Sequence, residues 1–284
     1  YILTAVDLYL ALKESLLDAL VGGSSLASAT WNRKKTMLDT ITRYRFLLST
    51  ALGDYFRFRH WQASKAERSP KMETIRDFCR NRLLPTDVVI TFNYDWCLER
   101  ALYEENRWQP WDGFGFSITP ESPFGGVQPQ PEKSSEITVL HLHGSAGWRV
   151  ATNGSISLSS EFLSQLGISL HDSQSTSGAN EVVLTEPSFL KGFQNNTILQ
   201  LWHKAAARLQ SADKVYIMGY SLPEADSAAT TLFLSTCREK AAAGRVVVVN
   251  KNQKALMRFE RVLPGCQTVT ASIESWLGSA EQHN

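Results

Sequence analysis

Apolar residues recur along the chain at two spacings, and the change from one to the other marks out alternating elements. Residues 3–20 and 36–61 carry apolar positions three and four apart; in the second stretch Leu38, Ile41, Tyr44, Leu48, Leu52 and Phe56 form one stripe, the pattern of an amphipathic helix. VGGSSLASAT separates the two, and a third helix is predicted over about 70–83, ending before Pro85. The texture then changes. DVVITF is a continuous apolar, β-branched run, as expected of a strand covered on both faces, and ITVLHL, KVYIMG and RVVVVN repeat it. Helical patterns lie between and after these runs, over 96–106, 197–211, 224–242 and 251–262.

Strands alternating with helices predict an α/β fold with a doubly wound, Rossmann-like parallel sheet and right-handed crossovers. The expected organisation is a single domain over 1–284, with an N-terminal helical region over about 1–83 and a parallel-sheet core over about 84–284. Two stretches follow neither period: 107–135, rich in Trp, Pro, Gly and Phe, and 146–180, rich in Ser and Asn. Each follows a strand end or its helix, so both are read as loop-rich insertions that wall or cover a site.

Composition narrows the function. A chain of 284 residues that is 43% hydrophobic can bury a substantial core. Its formal charge of +1 provides no global field to recruit nucleic acid or an anionic membrane. No apolar run reaches the roughly 18 residues that span a bilayer, and the opening stretch carries Asp7, Lys13 and Glu14 within a helical pattern, so a soluble, cytoplasmic protein is expected. Cys79, Cys97, Cys237 and Cys266 lie far apart with no CxxC pair, which disfavours a disulfide scaffold or a four-cysteine zinc module.

Polar residues at the ends of the apolar runs carry the candidate chemistry. Buried strands of an open α/β sheet hold ligands beyond their carboxyl ends. Asn93 ends the first run, where an amide can both donate to and accept from a sugar hydroxyl, and Asp95 either caps the helix over 96–106 or contacts a ligand. His143 ends the second and precedes Gly144; it is either a satisfied core histidine or a neutral imidazole that takes a proton near neutral pH. His141, two residues earlier, shares its strand face and raises a metal pair, with no third ligand motif beside it.

In IMGYSLPEAD the strand ends at Gly219, turns through Ser221 and leads to a helix beginning near Pro223. Ser221 and Glu224 have capping-box spacing, while a glycine and a serine at a helix N-terminus also form an anion or ribose site. Asn250 ends the fourth run, as an N-cap or as a contact to a second ribose. Four such strand ends along one sheet edge form a site long enough for a dinucleotide.

TFNYD, LHLHGS, GYSLPEAD and VVVVN, in that order, resemble the bacterial sirtuin-like domains that act as NAD hydrolases, many of them in antiphage defence, and the resemblance extends over about 37–275. It implies NAD as substrate without a metal. Asn93 would then be the catalytic asparagine on the nicotinamide-side ribose, His143 the catalytic histidine and Asp95 the acid near the carboxamide pocket. Thr91, Gly219, Ser221 and Asn250 would bind the dinucleotide. It also implies control by homo-oligomerisation or a regulatory partner. The chain departs from the wider family in two respects. No cysteine lies between Cys97 and Cys237, where sirtuin deacetylases carry a zinc module, which disfavours deacetylation. The glycine-rich pyrophosphate loop after a first strand is not in this sequence and is expected upstream of Tyr1.

The activity so implied is cleavage of the nicotinamide–ribose bond to nicotinamide and ADP-ribose, depleting NAD. Three alternatives remain at this point: a non-catalytic module that senses NAD or ADP-ribose, a metal-dependent hydrolase built on His141 and His143, and ADP-ribosyl transfer to a protein.

Overall fold

The computed structural model describes residues 70–116, 118, 134–150, 155–168, 182–184 and 196–279, together with Lys35, Thr36, Asp39, Ala51 and Tyr55. Those five positions have helical backbone; the rest of the two helices expected over 3–20 and 36–61 lies outside the described residues. The described chain begins with helix α1 (Pro70–Asn81), followed by strand β1 (Val88–Thr91), α2 (Cys97–Glu104) and β2 (Thr138–His141). Next come β3 (Gly144–Val150), β4 (Ile156–Leu158), α3 (Ser160–Gln165) and β5 (Val182–Leu184). The last part alternates regularly: α4 (Asn196–Ser211), β6 (Val215–Met218), α5 (Ser227–Ala242), β7 (Val246–Val249), α6 (Gln253–Val262), β8 (Gln267–Val269) and α7 (Ile273–Ser279).

All four apolar runs are strands, and all are parallel to their neighbours: β1 pairs with β2, and β6, β7 and β8 form a sheet in that order. The fold is therefore α/β and Rossmann-like, with parallel strands and covering helices. Where one continuous sheet was expected, the described residues form two parallel sheets, and aromatic side chains join them. Phe92, just past β1, stacks on Tyr220, just past β6, with centroids 4.2 Å apart and planes 13° from parallel. Phe92 also meets Trp202 of α4 and Phe233 of α5, each at 6.2 Å.

The described parts of 146–180, residues 146–150 and 155–168, depart from the expected irregularity. Gly144 adopts φ +80°, and a Cβ there would lie 2.0 Å from the Val183 carbonyl oxygen. Only glycine fits both constraints where the chain passes from β2 into β3. Strand β3 pairs antiparallel with β4 and β5. Ser159 then caps α3, its side chain accepting the Phe162 N–H.

The start of 107–135 also turns inward rather than walling a site. Trp108 and Phe114 are buried and meet edge-on at 4.8 Å; Phe114 meets Trp148 of β3 at 5.1 Å, and Phe162 of α3 packs on Trp96 at 5.5 Å. The Val139 N–H donates to the Gly113 carbonyl at 2.8 Å, which ties this segment to β2. An aromatic core thus fills the space between β2, the antiparallel sheet and α3, and supports the strand that leads to His143.

Candidate functional site

The polar strand ends converge because short hydrogen bonds hold their turns together. Beyond β1, Thr91 Oγ1 accepts the Asn93 N–H at 3.1 Å. Leu142 N–H donates to the Thr91 carbonyl at 3.0 Å and Ala146 N–H to that of Tyr94 at 2.9 Å, so residues 91–94 run beside 142–146. Asn93 is exposed, while its carbonyl accepts from buried His141 Nδ1 at 3.1 Å. Asp95 Oδ1 accepts the Cys97 N–H at 3.1 Å, a local turn that starts α2 at Cys97.

His143 lies at this junction. Phe92 meets its ring edge-on at 5.2 Å and Tyr94 lies tilted at 6.2 Å, so the two residues that flank Asn93 in sequence both contact the imidazole. On the other side His143 Nε2 lies 3.1 Å from Asp226 Oδ2. Asp226 is 3% exposed. Its Oδ2 also accepts the Tyr220 hydroxyl at 2.6 Å, and its Oδ1 accepts the Ala229 N–H at 3.2 Å. Burial first, and the Asp226 hydrogen bond second, push the Tyr220 phenol well above the ordinary tyrosine value, so it remains a donor.

Asp226 corrects the expected start of α5. Pro223 and the Ser221–Glu224 spacing placed the helix near 223, whereas residues 223–226 form a turn, with Asp226 N–H on the Pro223 carbonyl, and the helix begins at Ser227 with Asp226 as its N-cap. An aspartate that caps by accepting an N–H two or three residues ahead prevails over the serine five residues earlier. Ser221 is therefore not at a helix N-terminus. It is exposed in a loop, its carbonyl accepting from Arg258 Nη1 at 3.2 Å. The loop opens at Gly219 with φ +70° and contains Leu222 at φ +46°, buried in the left-handed region that branched or bulky residues avoid. Asp226 ends the IMGYSLPEAD motif but has no role assignable from the sequence; the pattern Asp-Ser-Ala-Ala before an apolar helix is the signal that marks it as a cap.

Asn250 is 6% exposed and braces this loop from behind. Its Nδ2 donates to the Tyr220 carbonyl at 3.0 Å and its Oδ1 accepts the Asn252 N–H at 2.9 Å; Asn252, not Asn250, caps α6. Gly219 N–H donates to the Val249 carbonyl at 2.9 Å. The structure thus brings Thr91, Asn93, Asp95 and His143 into one cluster, joins it through Tyr220 and Asp226 to the loop that carries Gly219 and Ser221, and sets Asn250 behind that loop.

The histidine pair expected to share a strand face does not converge. His141 is fully buried and hydrogen-bonds Glu99 through Nε2 as well as the Asn93 carbonyl through Nδ1. Burial, the largest single cause, lowers its pKa, but the Glu99 carboxylate, the Asn93 carbonyl and Asp95 together outweigh it and the net direction is up. His143 faces Asp226. Among the described residues, no three of His, Cys, Asp and Glu form a metal-sized group.

The geometry allows one general base, an imidazole oriented by a carboxylate, beside an exposed amide at the end of a parallel strand. A family model for the SIR2-like domain matches residues 87–258, more than half of the chain and every strand end just described. A solved structure reported under the structural basis for the mechanism and regulation of Sir2 enzymes is similar over 78% of this chain and 71% of its own, at 14% identity and a TM-score of 0.38. No curated protein sequence matches. The chain belongs to the SIR2-like domain family, whose chemistry depends on NAD.

Proposed function

We propose that this protein hydrolyses the nicotinamide–ribose bond of NAD. The observation that carries the reading is the His143–Asp226 contact of 3.1 Å at the junction with the Asn93 segment. An ionised Asp226 accepts from Nε2–H, which leaves the basic lone pair on Nδ1. Water adds to the anomeric carbon, the carbon–nitrogen bond breaks with its electron pair passing to the pyridinium nitrogen, and the water proton passes to His143. Neutral nicotinamide and ADP-ribose result. Because the leaving group is already cationic, the protein's main task is to hold an oxocarbenium-like ribose and one water in place. Asn93 holds the ribose hydroxyl and Asp95 orients the carboxamide; Thr91, Gly219 and Ser221 belong to the dinucleotide-binding face, and Asn250 serves it by bracing the Gly219–Ser221 loop from behind. No metal is needed for this route.

We read the chain as one NAD-binding domain that acts in the cytoplasm as a defence effector, depleting NAD, with oligomerisation or a partner protein controlling it. No described helix is long and apolar enough to cross a membrane. The test is incubation with NAD and chromatographic separation of products for wild type, Asn93→Ala and His143→Ala. Nicotinamide and ADP-ribose from the wild type alone support hydrolysis and both roles. Turnover by His143→Ala at the normal rate overturns the histidine assignment. Calorimetric binding of NAD that is recovered intact assigns the site to sensing.

A further inference from the structure

The Glu99–His141 pair lies outside the proposed chemistry, yet it is among the most buried charged or ionisable groups in the described chain, at 1% and 0% exposure. Glu99 projects from the buried face of α2 beside Ala101 and Leu102. His141 closes β2, its ring edge-on to Trp148 at 5.5 Å and to Phe114 at 5.9 Å. Burying such a pair is expensive, and apolar residues of similar volume commonly fill such space at no loss of stability. A purely packing role therefore leaves the choice of residues unexplained.

The hydrogen bonds supply a reason. The Asn93 carbonyl can only accept, so His141 Nδ1 carries a proton and donates to it at 3.1 Å. Nε2 engages the Glu99 carboxylate, which fixes the ring plane. Meanwhile the Asn93 N–H is held by Thr91 Oγ1 at 3.1 Å. Both main-chain polar groups of Asn93 are thus clamped, while the residue itself is exposed at the strand end. Rotation of the backbone at Asn93, which would swing its amide away, breaks one of the two bonds.

We propose that Glu99 and His141 are positioning residues for Asn93: the buried pair grips the Asn93 carbonyl and so aims its side-chain amide at the ligand face. The proposal rests on Asn93 serving in NAD cleavage, but its first readout does not. The double variant Glu99→Leu with His141→Phe removes the clamp without leaving a buried charge unpaired. Thermal unfolding close to that of the wild type is expected, together with faster amide hydrogen exchange in a peptide covering 92–97 while peptides from β7 and α5 are unchanged. NAD turnover should fall on the order of a hundredfold in kcat, as for a catalytic group misplaced by about 1 Å, with a smaller change in KM. Glu99→Gln, which keeps a side chain able to hydrogen-bond Nε2, should restore both slow exchange and most of kcat.

A folded double variant with unchanged exchange over 92–97 overturns the proposal whatever its activity. Faster exchange in the variant, with no NAD turnover by the wild type, keeps the clamp and overturns the hydrolase reading instead. If the double variant fails to fold, Glu99→Gln combined with His141→Leu, which leaves neither a buried charge nor a donor to the Asn93 carbonyl, decides it: equal exchange over 92–97 in that variant and wild type overturns the clamp.

Discussion

Asp226 Oδ2 lies 3.1 Å from His143 Nε2, so the residue that caps α5 also orients the imidazole at the end of β2. One carboxylate thereby couples the start of a helix to the site. Asp226→Asn separates the two roles. Asparagine is as good an N-cap as aspartate, and its Oδ1 can still accept the Ala229 N–H, so the helix start is kept and the unfolding midpoint should fall by no more than loss of the Tyr220 hydroxyl's acceptor explains. Its Nδ2, however, donates to His143 Nε2 and forces the proton onto Nδ1, the atom proposed to act as base. NAD turnover should then fall by on the order of a hundredfold or more, as expected when a triad-type base is held in the wrong tautomer. Activity within a factor of two of wild type would remove Asp226 from the mechanism.

Tyr220 provides a pH-dependent prediction. Tyr220→Phe keeps the stack on Phe92 but loses the 2.6 Å bond to Asp226, at a cost of about 1 to 2 kcal/mol for a bond to a charged acceptor in a partly buried setting. The folded-state pKa of Tyr220 is raised, by burial and then by Asp226. The folded phenol therefore keeps its proton while the unfolded one loses it above about pH 10, the ordinary tyrosine value. Wild-type stability attributable to this residue is present below that pH and is lost as pH rises above it; phenylalanine has nothing to ionise. Urea unfolding at several pH values between 8 and 11 should show the difference between the two proteins narrowing at the alkaline end. The buried thiols of Cys79 and Cys97, also raised mainly by burial, affect both proteins equally and cancel. A constant or widening difference would contradict the assignment.

The aromatic join between the two parallel sheets leads to a prediction about assembly of the site. Phe92 touches Tyr220, His143, Trp202 and Phe233. Phe92→Ala removes most of a partly buried ring, at a cost of roughly 2 to 4 kcal/mol, below the full penalty of a wholly buried phenylalanine. Because the same ring buttresses His143, NAD binding measured by calorimetry should weaken under conditions where far-UV circular dichroism still reports a folded protein. Loss of stability with unaltered affinity would show that the join is structural alone.

The parallel strands were legible because each is a run of β-branched and apolar residues, VVIT, TVLH, VYIM and VVVV, too short and too uniformly apolar for a helix. The antiparallel sheet was not. GSAGWRV contains two glycines, a serine and an arginine, so neither alternation nor apolar content marks β3; tertiary packing of Trp148 against Phe114 holds it. The start of α5 was misplaced because Ser221 and Pro223 give strong local signals, whereas the cap at Asp226 gains from Tyr220 and His143, contacts that sequence spacing does not reveal. Asn93 and His143 could be singled out because their strands end on them. Asp226 and Glu99 act through partners 83 and 42 positions away, and pairing over such distances has no periodic trace.

Gly144, next to His143, tests whether the close approach of β3 to β5 is needed. Gly144 and Gly167 have nearly the same backbone, φ +80° and +73°, so alanine at either incurs the left-handed strain of about 1 to 2 kcal/mol. Their surroundings differ. A Cβ at Gly167 meets nothing within 4 Å, while at Gly144 it would lie 2.0 Å from the Val183 carbonyl oxygen, a backbone atom that cannot yield without breaking the β3–β5 pairing. Gly167→Ala should therefore lower stability by the strain alone, and Gly144→Ala by at least twice as much, with lost NAD turnover because His143 precedes the displaced residue. Denaturant unfolding of the two variants side by side gives the comparison. Equal costs would mean that β5 shifts freely away from β3, and the antiparallel sheet would then be no fixed support for the histidine.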